Sequence, residues 1–244
     1  ELTVEVTGAP GVSFDVALTV QSTDLETGAL NIFEAVAAEL TMAVVGITAA
    51  SVNVDLANQT ASGTATGDDV VIGVENVTTG NGDDFITGDG VNNVLDGGIG
   101  DDNIAGGSGD DIIYGSTGDD ILSGDVGDDT IAGGAGDDTA VYQGSQADYT
   151  FESSADGQTI TITHLSTGDA DTVTGVETLS FNDGDIGVSL DENGLVLTGL
   201  EDADNIQIVG DVAVTVLGQD DADILAGSTG DDIIEGGAGN DIID

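Results

Sequence analysis

From Thr79 to Val141 the chain reads TGNGDDFIT, GDGVNNVLD, GGIGDDNIA, GGSGDDIIY, GSTGDDILS, GDVGDDTIA, GGAGDDTAV, seven nine-residue units without a gap. The period returns from Gly218 to Asp244 as GQDDADILA, GSTGDDIIE, GGAGNDIID. A fixed short period sets the architecture before local propensity is weighed. The eighth position carries one apolar residue per unit: Ile86, Leu95, Ile104, Ile113, Leu122, Ile131 and Ala140, then Leu225, Ile234 and Ile243. That is too sparse for a helix face and fits a very short strand with one inward side chain. The positions before it are rich in Gly and Asp, as a tight turn with positive φ requires. A turn plus a short strand, stacked on copies of itself, makes a solenoid.

The sixth position is Asp84, Asn93, Asp102, Asp111, Asp120, Asp129 and Asp138, then Asp223, Asp232 and Asp241. From Thr79 to Val141 there are 15 Asp and no Glu. A merely solvating acidic face would accept Glu. Demand for the shorter carboxylate at fixed phase implies a ligand held close to its own turn. Carboxylates and turn carbonyls suit a hard cation, and Ca²⁺ tolerates the irregular oxygen cages that turns provide better than Mg²⁺ does. The fifth-position residues Asp83, Asp101, Asp110, Asp119, Asp128 and Asp137 are expected to add negative potential or face solvent.

Composition points the same way. The 244 residues include 37 Asp and 11 Glu but no Lys or Arg, for a formal net charge of -48. Two carboxylates ~4 Å apart repel by roughly 1 kcal/mol in water and ~4 kcal/mol at a protein surface. With no basic partner in the chain, compact folding requires cations from outside. Nucleic-acid binding and anchoring to anionic lipid both need basic residues and are excluded. No Cys is present, which removes disulfides and thiolate chemistry, and the single His164 sits in an alternating run and is read as a strand residue. The sequence contains neither Gly-x-Ser-x-Gly nor His-Glu-x-x-His, so an enzyme is not expected. The most apolar region, Ala29 to Val54, is interrupted by Glu34 and Glu39 and is not read as a membrane span.

The units resemble the GGxGxDxUx nonapeptides of the RTX (hemolysin-type calcium-binding) repeat family. The best matches are Gly97 to Ala105, Gly106 to Tyr114, Gly133 to Val141 and Gly236 to Asp244. The resemblance implies a parallel β-roll with two units per coil, alternate units on opposite sides, and Ca²⁺ held between turns 18 residues apart. Carried onto this chain, it stacks Asp84, Asp102, Asp120 and Asp138 on one side, and Asn93, Asp111 and Asp129 on the other. The unit at Gly88 departs from the pattern with Val91 in place of a Gly and Asn93 in place of the Asp. The unit at Gly218 has Asp221 in place of a Gly.

Outside the arrays, Leu2 to Val6 and Val12 to Val20 alternate around Ala9-Pro10-Gly11 and predict a hairpin. Ile32, Val36, Leu40 and Val44 have helical spacing before Gly46 and predict a short helix. Val52, Val54 and Leu56 predict a strand, and Tyr149 to Phe151, Thr159 to Thr163 and Thr178 to Phe181 predict irregular β structure. Tyr142, Tyr149 and Phe151 are expected to cover the open end of the first roll. Glu75 and Glu177 share a Gly-Val-Glu motif and are read as turn caps.

The expected fold is therefore all-β, with parallel β-roll arrays joined by irregular β segments and an N-terminal hairpin and short helix. Four regions are expected: an N-terminal β/short-helix segment at 1–51, a first roll with its lead-in strands at 52–141, a β-rich linking module at 142–198, and a second roll at 199–244. From the start at Glu1 and the stop on a unit boundary, a segment of a longer protein is expected. The expected function is a secreted, extracellular or cell-surface Ca²⁺-binding structural module, part of a bacterial surface layer, filament or adhesin. Its expected partners are copies of itself or adjacent modules. The alternative is the Ca²⁺-binding secretion and folding module of an RTX exoenzyme, a lipase or metalloprotease.

Overall fold

The computed structural model describes residues 3–5, 41–43, 51–63, 67–191, 194–200 and 202–244. Within each array, strands pair in parallel with the strand 18 residues on: Val94–Ile99, Ile112–Thr117 and Thr130–Ala135 in one sheet, Asn103–Ser108 and Ile121–Val126 in the other. Typical registers are Ile113↔Ile131 and Leu122↔Ile104. One coil is therefore two nine-residue units, and consecutive units contribute to opposite sheets.

Two sheets, each of twelve strands among the described residues, run the length of the molecule. The linking residues do not interrupt them. In the first sheet, Thr130–Ala135 pairs in parallel with Ala170–Thr174, which continues antiparallel through Ile160–His164 and Tyr149–Ser153. Tyr149–Ser153 then pairs in parallel with Asn205–Val209, and from there with the second array through Ile224–Ala226. In the second sheet, Thr139–Val141 passes through Thr178–Phe181, Gly184–Asp191 and Gly194–Gly199 to Thr215–Leu217. Both arrays and the segment between them thus share one continuous double sheet.

The core is two facing files of eighth-position side chains, one on each sheet, as predicted from the repeat except at the last two units, where Ile234 is half-buried and Ile243 is exposed. Ile86 through Ala140 and Leu225 are all at most 1% exposed, and the files continue through Val173, Leu179, Ile186, Leu197 and Ile206. Each side chain of a file is sealed above and below by the equivalent residues of the adjacent coils.

Two expectations are corrected. Thr41–Ala43, inside the segment with helical spacing, is a strand, parallel to both Thr3–Glu5 and Asn76–Thr78. Hydrogen bonds offered by the adjacent sheet edge override the weak helical spacing here. The rest of that segment, and the partner strand of the N-terminal hairpin, lie outside the described residues. Second, Tyr142, Tyr149 and Phe151 do not cover an open end. Together with Phe181 they fill the core where the first array gives way to antiparallel strands, with ring centroids 5.3 to 6.1 Å apart. Among the described residues, no helix is long and apolar enough to cross a membrane.

Candidate metal centre

Each turn enters its strand through the sixth-position residue. Asp84, Asn93, Asp102, Asp111, Asp120, Asp129, Asp138 and Asp223 are all at most 2% exposed. Their burial follows from the winding, because the turn above and the turn below cover each one.

The carboxylates form ladders along the roll axis. Oδ1 of Asp102 accepts the Asp84 amide at 2.7 Å, Oδ1 of Asp120 accepts the Asp102 amide at 2.7 Å, and Oδ1 of Asp138 accepts the Asp120 amide at 2.9 Å. On the other side, Asp111 accepts from Asn93 and Asp129 accepts from Asp111, both at 2.7 Å. Each side chain reaches back one coil, to an amide 18 residues earlier. Asp is the right length for that reach, since adjacent strands are about 4.8 Å apart.

The second oxygen is left bare. Oδ2 of Asp84, Asp102, Asp111, Asp120, Asp129, Asp138 and Asp223 is buried without a hydrogen-bond partner. Except in the unit of Asp84, which begins with Thr79, it lies over the first glycine of its own unit, where a Cβ on Gly97, Gly106, Gly115, Gly124, Gly133 or Gly218 would collide with it. The same space is bounded by the first-glycine carbonyl of the next coil. A Cβ on Gly106 would lie 2.9 Å from the Gly124 oxygen, and one on Gly115 2.7 Å from the Gly133 oxygen. The first-position Gly thus clears a cage whose walls are oxygen atoms. Among the described residues no three acidic or histidine side chains converge into a metal-binding group; the other oxygen atoms beside each bare carboxylate are backbone carbonyls.

Electrostatics shows the cost of the arrangement. Burial pushes the Asp102 carboxyl up to about 7, with Asp84 and Asp120 adding repulsion against the pull of the Asp84 amide. Burial likewise lifts Asp111 and Asp138 to about 6, and raises Asp120 and Asp129. A buried carboxylate with an unmet oxygen and no base in the chain is the environment a hard, oxygen-seeking divalent cation relieves. The donor set, carboxylate and carbonyl oxygen alone, fits Ca²⁺.

The ten sequence-predicted residues are not equivalent. Asn93 turns Oδ1 to the Asp89 amide at 2.9 Å and leaves its Nδ2 buried and unpaired. Asp232 is half-buried, and both its oxygens are engaged: Oδ1 by the Val214 amide at 2.9 Å, Oδ2 by the amide and hydroxyl of Ser228 at 2.6 and 2.9 Å. Asp241 is also half-buried, and its Oδ1 accepts the Asp223 amide at 3.3 Å. The fifth-position residues are exposed and form a second ladder running the opposite way, in which Asp101, Asp110 and Asp119 accept amides one coil ahead at 2.9 to 3.2 Å.

Sequence reading missed two members of the stacks. Asp171 is 7% exposed, accepts the Asp129 amide at 3.0 Å, and is lifted to about 7 by burial. Asp204 is 3% exposed and stands one coil before Asp223. Glu177 caps the other stack, its Oε2 accepting the Asp138 amide at 2.8 Å, in keeping with its reading as a turn cap. The signal available for the missed pair was an acid two residues before a buried apolar residue, in Asp171-Thr172-Val173 and Asp204-Asn205-Ile206. It went unread because the Gly-rich turn before it is absent.

No curated protein matches the chain. A family model described as RTX calcium-binding nonapeptide repeat (4 copies) matches it over three stretches, residues 78–113, 105–140 and 217–244. Those residues hold the coils and the bare carboxylate oxygens just described, so the chain carries RTX calcium-binding nonapeptide repeats, wound into a Ca²⁺-binding β-roll.

Proposed function

We propose that this chain is a structural module of an extracellular protein whose folding is driven by Ca²⁺. In this reading Asp84, Asp102, Asp111, Asp120, Asp129, Asp138 and Asp223 each turn Oδ2 toward a cation that adjacent turns share, with Asn93, Asp232 and Asp241 completing the two arrays as weaker members. One observation carries it: row upon row of buried carboxylates, each with an unmet oxygen, in a chain without one Lys or Arg. Bound Ca²⁺ supplies charge neutralisation and nothing catalytic. The chain's own part is to hold oxygen atoms at fixed phase and to keep Cβ atoms out of the cages.

Such a module is suited to places where Ca²⁺ is plentiful, since the millimolar ion outside cells favours the folded chain by mass action. The setting we favour is a bacterial surface layer, filament or adhesin, with further copies or adjacent modules as partners. The length of continuous double sheet supports a scaffold role, as does the absence of a catalytic constellation among the sequence motifs. Equilibrium dialysis of the full chain against Ca²⁺ tests the binding: several ions per chain with cooperative uptake are expected, and no bound ion at millimolar Ca²⁺ refutes it. Electron microscopy with and without Ca²⁺ tests the setting, with sheets or fibres expected only when the ion is present.

A further inference from the structure

The ladder of carboxylates does not stop where the recognisable repeats stop. Gly199-Leu200-Glu201-Asp202-Ala203-Asp204-Asn205-Ile206-Gln207 keeps the glycine, acid and apolar residue of positions one, six and eight, but has lost the glycines of positions two and four. It lies before residue 217, where the second family match begins. Its Asp-Ala-Asp triplet recurs at Asp221-Ala222-Asp223, one coil on.

The structure gives this degenerate unit the geometry of a full one. Ile206 is completely buried in a core file. The Asp204 amide donates to Oδ1 of Asp223 at 3.0 Å, continuing the ladder. Oδ2 of Asp204 is buried and unpartnered. A Cβ on Gly199 would collide with that oxygen and sit 3.0 Å from the Gly218 carbonyl oxygen. Asp183, Asp202 and Asp223 add their negative charge from nearby.

One partner differs. In the array aspartates Oδ1 accepts a backbone amide from the preceding coil, whereas the strand before this unit, Tyr149–Ser153, belongs to the antiparallel linking segment. The amide is replaced by Gln146, which is 1% exposed and 58 residues earlier in sequence. Its Nε2 donates to Oδ1 of Asp204 at 2.8 Å, its Oε1 accepts the Asn205 amide at 2.8 Å, and its own amide donates to Asp183 at 2.8 Å. A single amide side chain thus stands in for that backbone amide and ties the linking segment to the second array.

We propose that Asp204, Gly199 and the Gly218 carbonyl form a further Ca²⁺ site at the seam between the linking segment and the second array, and that Gln146 couples its filling to the first half of the molecule. This rests on the reading that the cages over the first-position glycines hold Ca²⁺. The seam site makes the two arrays one cooperative body rather than two rolls in series.

Equilibrium dialysis and calorimetric melts of the full chain in Ca²⁺ test this with three variants. Asp204→Asn keeps Oδ1 for Gln146 but replaces Oδ2 by a nitrogen, and should bind one ion fewer and melt in two steps instead of one. Gln146→Ala keeps both Asp204 oxygens but removes the bond that holds Oδ1, so it should weaken filling of the seam site while the array ions stay bound, and should melt in two steps. Asp111→Asn, in the first array, is the reference. Calcium binding weakened by Asp111→Asn but unchanged by Asp204→Asn overturns the seam site and leaves the array cages standing. If neither change affects calcium binding, the cage reading falls and the seam site with it. Should Asp204→Asn fail to fold, the unmutated protein still decides: the Gly218 carbonyl carbon resonance should shift on Ca²⁺ titration, and a resonance that stays put overturns the proposal.

Discussion

Two aspartates side by side in each turn have opposite work. Asp111 is buried, accepts from the coil before it, and leaves Oδ2 bare, whereas Asp110 is exposed and accepts the Asp128 amide of the coil after it. Their substitution should therefore differ in kind. Asp111→Asn removes a buried charge that burial has already made hard to ionise, so it should stabilise the metal-free chain while lowering Ca²⁺ affinity by about tenfold or more, roughly 1.4 kcal/mol. Asp110→Asn should alter affinity less than about twofold. Calcium titration of both variants by calorimetry, with melts in chelator, reads the two effects. Equal losses from both would show a diffuse cloud of charge rather than ordered cages.

At the scale of the coil, alternate side chains along a strand face the core or the outside, and the energetic contrast should be steep. Leu122 is completely buried and Ile121 is 47% exposed. Leu122→Ala should cost about 2–5 kcal/mol in saturating Ca²⁺, because neighbouring coils are too rigidly spaced to close the cavity. Ile121→Ala should cost under about 1 kcal/mol; denaturant melts at fixed Ca²⁺ give both numbers. This contrast was legible in the sequence, because strict repetition turns a weak local signal into phase; the 18-residue coil and the sixth-position stacks were expectations carried over from the resemblance to RTX repeats. Asp171 and Asp204 were not legible, since each occurs once without its turn glycines and only the pairing of distant strands brings it into line. Nor was the strand at Thr41–Ala43, whose partner strand is 35 residues away. The stacked carboxylates also set a pH dependence. Asp102 and Asp171 near 7, and Asp111, Asp138 and Asp204 near 6, lie above the ordinary 3.8. The folded chain therefore binds more protons than the unfolded one. Metal-free stability should be greatest below pH 4, fall as pH rises through 4 to 7, and then level off. Circular dichroism in chelator should show β signal growing on acidification from pH 7 to 4, and a loss of signal over that range would contradict the buried, unmet carboxylates.

For the whole molecule, charge and sheet surface act against each other. A chain of net charge -48 repels its copies over a Debye length of about 8 Å at physiological salt. Yet its outer faces are not wholly polar: Phe85 and Ile121 stand 55% and 47% exposed on one sheet, and Ile224 and Ile242 stand 44% and 60% exposed on the other. Without cations, repulsion dominates within and between chains, and one small buried side chain per unit does not offset the entropy of ordering Gly-rich turns. Each ion at 100-fold over its dissociation constant adds about 2.7 kcal/mol to the folded state. The same ions remove up to two charges each from the surface field. Folding and association should therefore switch on together, over one range of Ca²⁺ concentration. Light scattering and circular dichroism followed in a single Ca²⁺ titration should rise in step, and both should reverse on chelation. Adding monovalent salt instead should screen the surface without filling the cages, so scattering should stay at the monomer level. A particle that folds with Ca²⁺ but stays monomeric at high protein concentration would contradict self-assembly and favour the folding module of an exported enzyme.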